Sequence, residues 1–136
     1  FIDNTPAYAR GIGNILTPTV CCIEGYHLVL VKPDIHVSTK DAYALVTPQK
    51  PEESLTEIAE RPIEEWKGAM KNDFEKSIFA KHPAMEKIKE QLYAMGAVYA
   101  SMSGSGSSFF GIFKEEQDIE KIKALFPGMF CWCKKM

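Results

Sequence analysis

Residues 97–113 read AVYASMSGSGSSFFGIF. Two apolar runs, AVYASM and FFGIF, flank six residues of serine and glycine. Short apolar runs bounded by turn residues carry the signature of strands, so two strands joined by a tight loop are expected here. Immediately upstream, PAMEKIKEQLYAM (83–95) sets Met85, Ile88, Leu92 and Met95 on one helical face. Pro83 suits the first turn of that helix, and Gly96 suits its stop. Downstream, QDIEKIKALF (117–126) is amphipathic and is closed by Pro127-Gly128, and FCWCK (130–134) alternates like a last strand. Helix, strand, strand, helix, strand is close to a split βαβ, ferredoxin-like arrangement.

The N-terminal half extends this pattern. HLVLV (27–31), closed by Lys32-Pro33, is a buried-strand signal. STKDAYALV (38–46) opens a helix, with Ser38 or Thr39 as the N-cap and Asp41 in its first turn. A polar loop, TPQKPEE (47–53), follows. Ser54-Leu55-Thr56-Glu57 has the capping-box spacing and predicts a helix of about two turns before Pro62. Pro62 in turn predicts another helix through IEEWKGAM (63–70). Helical apolar spacing continues from Asn72 through Phe79 until His82-Pro83 breaks it. AYARGIGNIL (7–16) reads as extended, is interrupted by Gly11 and Gly13, and ends at Thr17-Pro18-Thr19. Strands and helices mix without regular βαβ alternation, which predicts an α+β fold with an antiparallel sheet and extra helices.

A chain of 136 residues suits one domain, and 46% hydrophobic with 25% charged residues is ordinary for a globular protein. Sixteen basic against eighteen acidic residues leave a net charge of −2, with no footprint for nucleic acid. No apolar run is long enough to span a membrane. The four cysteines, at 21, 22, 131 and 133, lack the spacing of zinc knuckles and read as small buried hydrophobes of a reducing compartment. Phe1-Ile2-Asp3 reads like the middle of a strand, so the chain is expected to be a segment of a longer protein.

The chemistry centres on Ser103, Gly104, Ser105, Gly106, Ser107 and Ser108. Glycines admit positive φ and close backbone approach, and successive N–H groups in such a turn can cradle an anion. The loop is neither GxxxxGK[ST] nor GxGxxG, since Phe109 occupies the sixth place of the latter. A plain hairpin connection is the competing reading. No carboxylate pair is spaced for acid–base work, and His27, His36 and His82 lack metal-ligand spacing. Tyr43 and Trp66 are either stacking surfaces or core aromatics. Asn72 reads first as a helix-interior or packing polar group.

YASMSGSGSSFFGIF (99–113) resembles the third conserved motif of the GHMP kinases, which lies in their C-terminal domain. PAYARGIGNILTP (6–18), LVLVKPDIHVSTKDAY (28–43) and WKGAMKNDFE (66–75) resemble further segments of that family in the same order. The resemblance implies a ferredoxin-like GHMP kinase C-terminal domain over 1–136. The family's main phosphate loop, of the P-x-x-x-G-L-G-G-G-S-S type, is absent from this sequence, and it belongs to an N-terminal domain with the catalytic Lys and Asp. Asp3 falls too late to be that Asp, so no catalytic residue is expected in this segment, and the missing N-terminal domain is its implied partner. The implied activity of the full-length enzyme is transfer of the ATP γ-phosphoryl group, with Mg2+, to an alcohol of a small cytidyl substrate. The segment alone is expected to bind neither ATP nor metal and to be inactive. The roles implied are Tyr43 stacking on cytosine, Thr39 near the substrate's erythritol part, and Ser103–Ser108 lining the cleft and supporting the phosphate loop. One turn apart on a helix, Thr39 and Tyr43 share a face, and free N–H groups at that helix start suit a phosphorylated ligand. A cytoplasmic location, with no nucleic-acid or membrane partner, goes with the family. Another GHMP kinase, acting on homoserine, mevalonate or a sugar, and a stand-alone ferredoxin-like ligand-binding module remain as alternatives.

Overall fold

A computed structural model describes residues 5–21 and 23–136; Phe1-Ile2-Asp3 and Cys22 lie outside the described residues. The fold is α+β with antiparallel sheets. Its strands are β1 (Ala7–Arg10), β2 (Ile15–Pro18), β3 (His27–Lys32), β4 (Tyr99–Met102), β5 (Phe109–Phe113) and β6 (Phe130–Lys135). Its α-helices are α1 (Thr39–Leu45), α2 (Leu55–Ala59), α3 (Phe74–Lys81), α4 (Pro83–Ala94) and α5 (Ile119–Leu125). The main sheet runs β4-β5-β3-β6, which is the strand order of the ferredoxin-like arrangement expected from residues 83–134. β3 is central, with Val31 opposite Phe109 on one side and Cys131 on the other.

Period-two alternation sends each strand's side chains to two cores. On one face Val29, Val31, Ala100, Met102, Phe109 and Phe113 pack with Ala42 of α1, Ile78 of α3, Met85, Ile88 and Leu92 of α4, and Ile122 of α5. Cys131 and Cys133 pack against this core, half-buried. On the other face Tyr99 and Ile112 pack with Ile58, Ile63 and Trp66. Gly111 belongs to the first face, where Leu92 and the Phe113 ring occupy the space of its missing side chain.

Caps explain where two helices begin. Ser38 Oγ accepts from the Asp41 N–H at 3.3 Å, and Asp118 Oδ1 accepts from the Glu120 N–H at 2.9 Å. Gly96, at φ +98°, ends the α4 segment as its sequence position predicts.

Three local expectations fail. Ser54 precedes α2, but its hydroxyl bonds the Thr56 hydroxyl at 2.7 Å and caps no backbone N–H, so no capping box forms. The helix predicted over 63–70 shrinks to a 3-10 turn at Ile63–Glu65, because Trp66 turns into the second core and Gly68 takes φ +88°. Asn72 lies ahead of α3, so the helix-interior half of its reading fails, while the packing-polar half holds: its half-buried side chain bonds backbone groups.

β1 and β2 form a separate hairpin, pairing Ala7 with Pro18 and Arg10 with Ile15. Ile12, Ile15, Leu16 and Val20 are exposed on and beside it. Among the described residues, no helix is long and apolar enough to cross a membrane.

Candidate functional site

The loop Ser103–Ser108 closes the β4–β5 hairpin. Ser103 N–H donates to Ser108 C=O at 2.8 Å, and Gly106 N–H donates to Ser103 C=O at 3.0 Å. Gly104 and Gly106 take φ of +55° and +94°, a region that side-chain-bearing residues rarely enter. The second glycine is also crowded: a Cβ on Gly106 would stand 2.9 Å from Met102 Sδ. Ser107 is buried, whereas Ser103 and Gly104 are exposed.

Two further elements converge on this loop. α1 brings Thr39 to its rim, with Thr39 Oγ1 3.4 Å from Ser105 Oγ. One turn later Tyr43 projects from the same helix and is 65% exposed. Its ring meets the Phe74 ring in a T-shape, with centroids 4.9 Å apart. The turn before α3 brings Asn72, whose side-chain amide donates to Met102 C=O at 2.7 Å and Gly104 C=O at 2.9 Å. Thr39 thus meets the glycine loop across 66 positions of sequence, and Tyr43 stands one turn further along α1 against Phe74.

The loop also borders a shallow polar hollow of about 290 Å³, shared with Lys32, Asp34 and His36. A larger cleft of about 520 Å³ lies between the α1–α2 connection and the start of α3, and Asn72, Asp73 and Lys76 line it. Away from this site, burial pushes the Tyr99 phenol up to about 12, in the second core. Trp66 belongs to that core too, its ring N–H donating to Arg61 C=O at 3.2 Å, so it offers no stacking surface. Among the described residues, no group of three or more His, Cys, Asp or Glu could hold a metal ion.

The sequence pattern of the C-terminal part of the GHMP kinases matches residues 54–127, more than half of the chain. The chain belongs to the GHMP kinase family. Two relatives, both named 4-diphosphocytidyl-2-C-methyl-D-erythritol kinase, resemble this GHMP kinase chain over 97% of its length. They are the proteins of Bacteroides fragilis, at 53% identity, and of Parabacteroides distasonis, at 51%. Those matches cover 47% and 48% of the relatives, so the chain spans about half the length of the curated relatives it matches. A crystal structure of 4-(cytidine 5'-diphospho)-2C-methyl-D-erythritol kinase superposes with a TM-score of 0.74 at 26% identity, covering 98% of this chain and 50% of that one. A homoserine kinase from Cytophaga hutchinsonii shares the GHMP kinase fold, with a TM-score of 0.62 at 16% identity, over 94% of this chain and 46% of that one.

The sequence reading missed Asn72 and Glu75 as neighbours of the glycine loop. Their partners stand about 26 to 32 positions away, so no periodicity or spacing announces the contact. Both residues stand in WKGAMKNDFE (66–75), which resembles a segment of the family, but that resemblance names no contact between them and the loop. Lys32, at the end of β3, and His36, in the β3–α1 connection, line the loop's hollow and carry no spacing signal of their own.

Proposed function

We propose that the chain is the C-terminal, substrate-contacting half of an ATP-dependent kinase. The whole protein would phosphorylate the 2-hydroxyl of 4-diphosphocytidyl-2-C-methyl-D-erythritol in non-mevalonate isoprenoid biosynthesis. The observation that carries this reading is the exposed Tyr43–Thr39 face of α1 beside the glycine loop. A tyrosine left 65% exposed on the helix that meets the glycine loop is free to stack on a base, which a core aromatic is not. The match to relatives bearing that kinase's name, at about half identity over nearly the whole chain, supports the same substrate.

In this reading Tyr43 stacks on the cytosine and Thr39 stands one helical turn away at the erythritol end. Ser103, Gly104, Ser105, Gly106, Ser107 and Ser108 form one wall of the cleft and back the phosphate loop of the N-terminal half. The γ-phosphoryl group passes from ATP to the substrate oxygen, whose proton leaves to a group of the other half. Such transfer depends mainly on positioning and charge stabilisation. Magnesium would accompany the ATP phosphates, whose loop belongs to the N-terminal half. The N-terminal half is the chain's main partner, and the exposed apolar hairpin residues Ile12, Ile15 and Leu16 are available for burial against it.

The test is a substrate panel. The full-length protein, given ATP and magnesium, should turn over the cytidyl alcohol far faster than homoserine, mevalonate or galactose. The chain 1–136 alone should release no ADP above background. Preference for one of the other alcohols, or turnover by the isolated chain, refutes the reading.

A further inference from the structure

β4 is an edge strand, since the main sheet ends there. Ser103 is hydrogen-bonded to Ser108, so Met102, one residue earlier, turns its N–H and C=O away from β5. Two side chains, one from the turn before α3 and one from its first turn, meet those groups. The Asn72 amide donates to Met102 C=O at 2.7 Å and to Gly104 C=O at 2.9 Å. Glu75 Oε1 accepts from the Met102 N–H at 2.9 Å and from the Ser101 hydroxyl at 3.1 Å. The other end of each side chain is fixed as well. Asn72 Oδ1 accepts from the Phe74 N–H at 3.0 Å, and Glu75 Oε2 pairs with Lys89 Nζ at 2.5 Å. Only one orientation of the Asn72 amide serves two carbonyls and one N–H, so its donors and acceptor are assigned by their partners.

Together these residues do what a fifth strand would do at the sheet edge, and they extend the grip one step into the glycine loop. Gly104 is the loop's first glycine and is exposed. A loop of serines and glycines has little side-chain packing of its own, so its placement depends on its anchors.

We propose that Asn72 and Glu75 are positioning residues that set the glycine loop for phosphoryl transfer. The proposal rests on the kinase reading of the whole protein. Neither residue needs to touch substrate: Asn72 fixes the carbonyls on either side of the loop's entry, and Glu75 fixes the strand end that feeds it.

Asn72→Asp in the full-length protein is the discriminating variant. It keeps the oxygen that accepts from Phe74 N–H, and so keeps the start of α3. It replaces both donors with an acceptor facing two carbonyls. The kcat should fall about 10- to 100-fold, the scale of a small misplacement of a reacting group. The KM for the cytidyl alcohol should stay within about twofold, because Tyr43 and Thr39 are untouched. Hydrogen exchange in a peptide covering 103–108 should quicken about tenfold or more while the α4 peptide holds its wild-type rate. Glu75→Gln, which retains an accepting oxygen, should keep more activity than Glu75→Ala. Wild-type kcat and wild-type loop exchange in Asn72→Asp would overturn the proposal. So would a kcat loss accompanied by faster exchange throughout the chain, since that marks a general fold defect. If the wild-type protein does not phosphorylate the cytidyl alcohol, the kinase reading fails by itself. Exchange at 103–108 then still decides whether Asn72 holds the loop.

Discussion

Tyr43 rests against Phe74 with the two ring planes at 75° and the centroids 4.9 Å apart. The contact steadies one part of the Tyr43 ring and leaves 65% of the residue to solvent. An aromatic held but uncovered is a ready stacking surface, and its removal should cost binding more than stability. In the full-length enzyme, Tyr43→Ala should raise the KM for the cytidyl substrate roughly 5- to 150-fold, since base–aromatic stacking is worth about 1–3 kcal/mol. The KM for ATP should barely move, and Tyr43→Phe should be nearly silent. Kinetics and melting on the same preparations decide it: a lowered melting temperature with unchanged KM assigns Tyr43 to packing alone.

Gly106 combines a φ of +94° with a neighbouring sulfur 2.9 Å from where a Cβ would lie. Gly106→Val should therefore cost about 1–3 kcal/mol of stability from the backbone conformation alone. Activity of the full-length protein should fall with it. Unchanged denaturation and unchanged kinetics would make the loop an ordinary turn.

Much of this fold is legible in the sequence because its signals are local. Ser38 and Asp118 lie just before helical runs, and Phe109 to Phe113 alternate onto two faces as a strand must. The failures share a cause. Ser54 found Thr56 before it found a backbone N–H, and Trp66 gained more from the second core than residues 63–70 gained from continuing a helix. At the site, the Thr39–Tyr43 spacing was readable, but the approach of Thr39 to Ser105 was not, since 66 positions separate them. The resemblance implied a shared cleft for Thr39 and the loop but named no contact between them.

Gly111 is a second position where a methyl group has no room. A Cβ there would lie 2.9 Å from Phe113 Cε2 and 3.3 Å from Leu92 Cδ2. Gly111→Ala should lower stability by about 1–3 kcal/mol through overpacking. Urea unfolding should show a lower midpoint at an unchanged slope. A wild-type midpoint would mean that Phe113 and Leu92 can retreat without loss.

The Tyr99 phenol donates to Met70 C=O at 3.1 Å, and burial raises its pKa from 10.0 to about 12. The folded state thus keeps the proton that the unfolded state releases. Its contribution is fully present below pH 10 and is lost as pH rises towards about 12. The loss is on the order of 2–3 kcal/mol over that interval. Denaturation of wild type and Tyr99→Phe should diverge in this way across the alkaline range. Parallel curves would show that the phenol ionises in the folded protein at an ordinary pH.

The central place of β3 governs when this chain can fold during synthesis. Both neighbours of β3, β5 and β6, come from the last third of the sequence, and Val31 must wait for Phe109 and then Cys131. A ribosome-bound chain that stops short of Phe109 leaves both edges of an apolar strand open, which invites pairing with another chain. Closure of such distant partners is also slow compared with forming a local helix. Until its C-terminal strand has emerged, the nascent chain therefore depends on shielding from its neighbours.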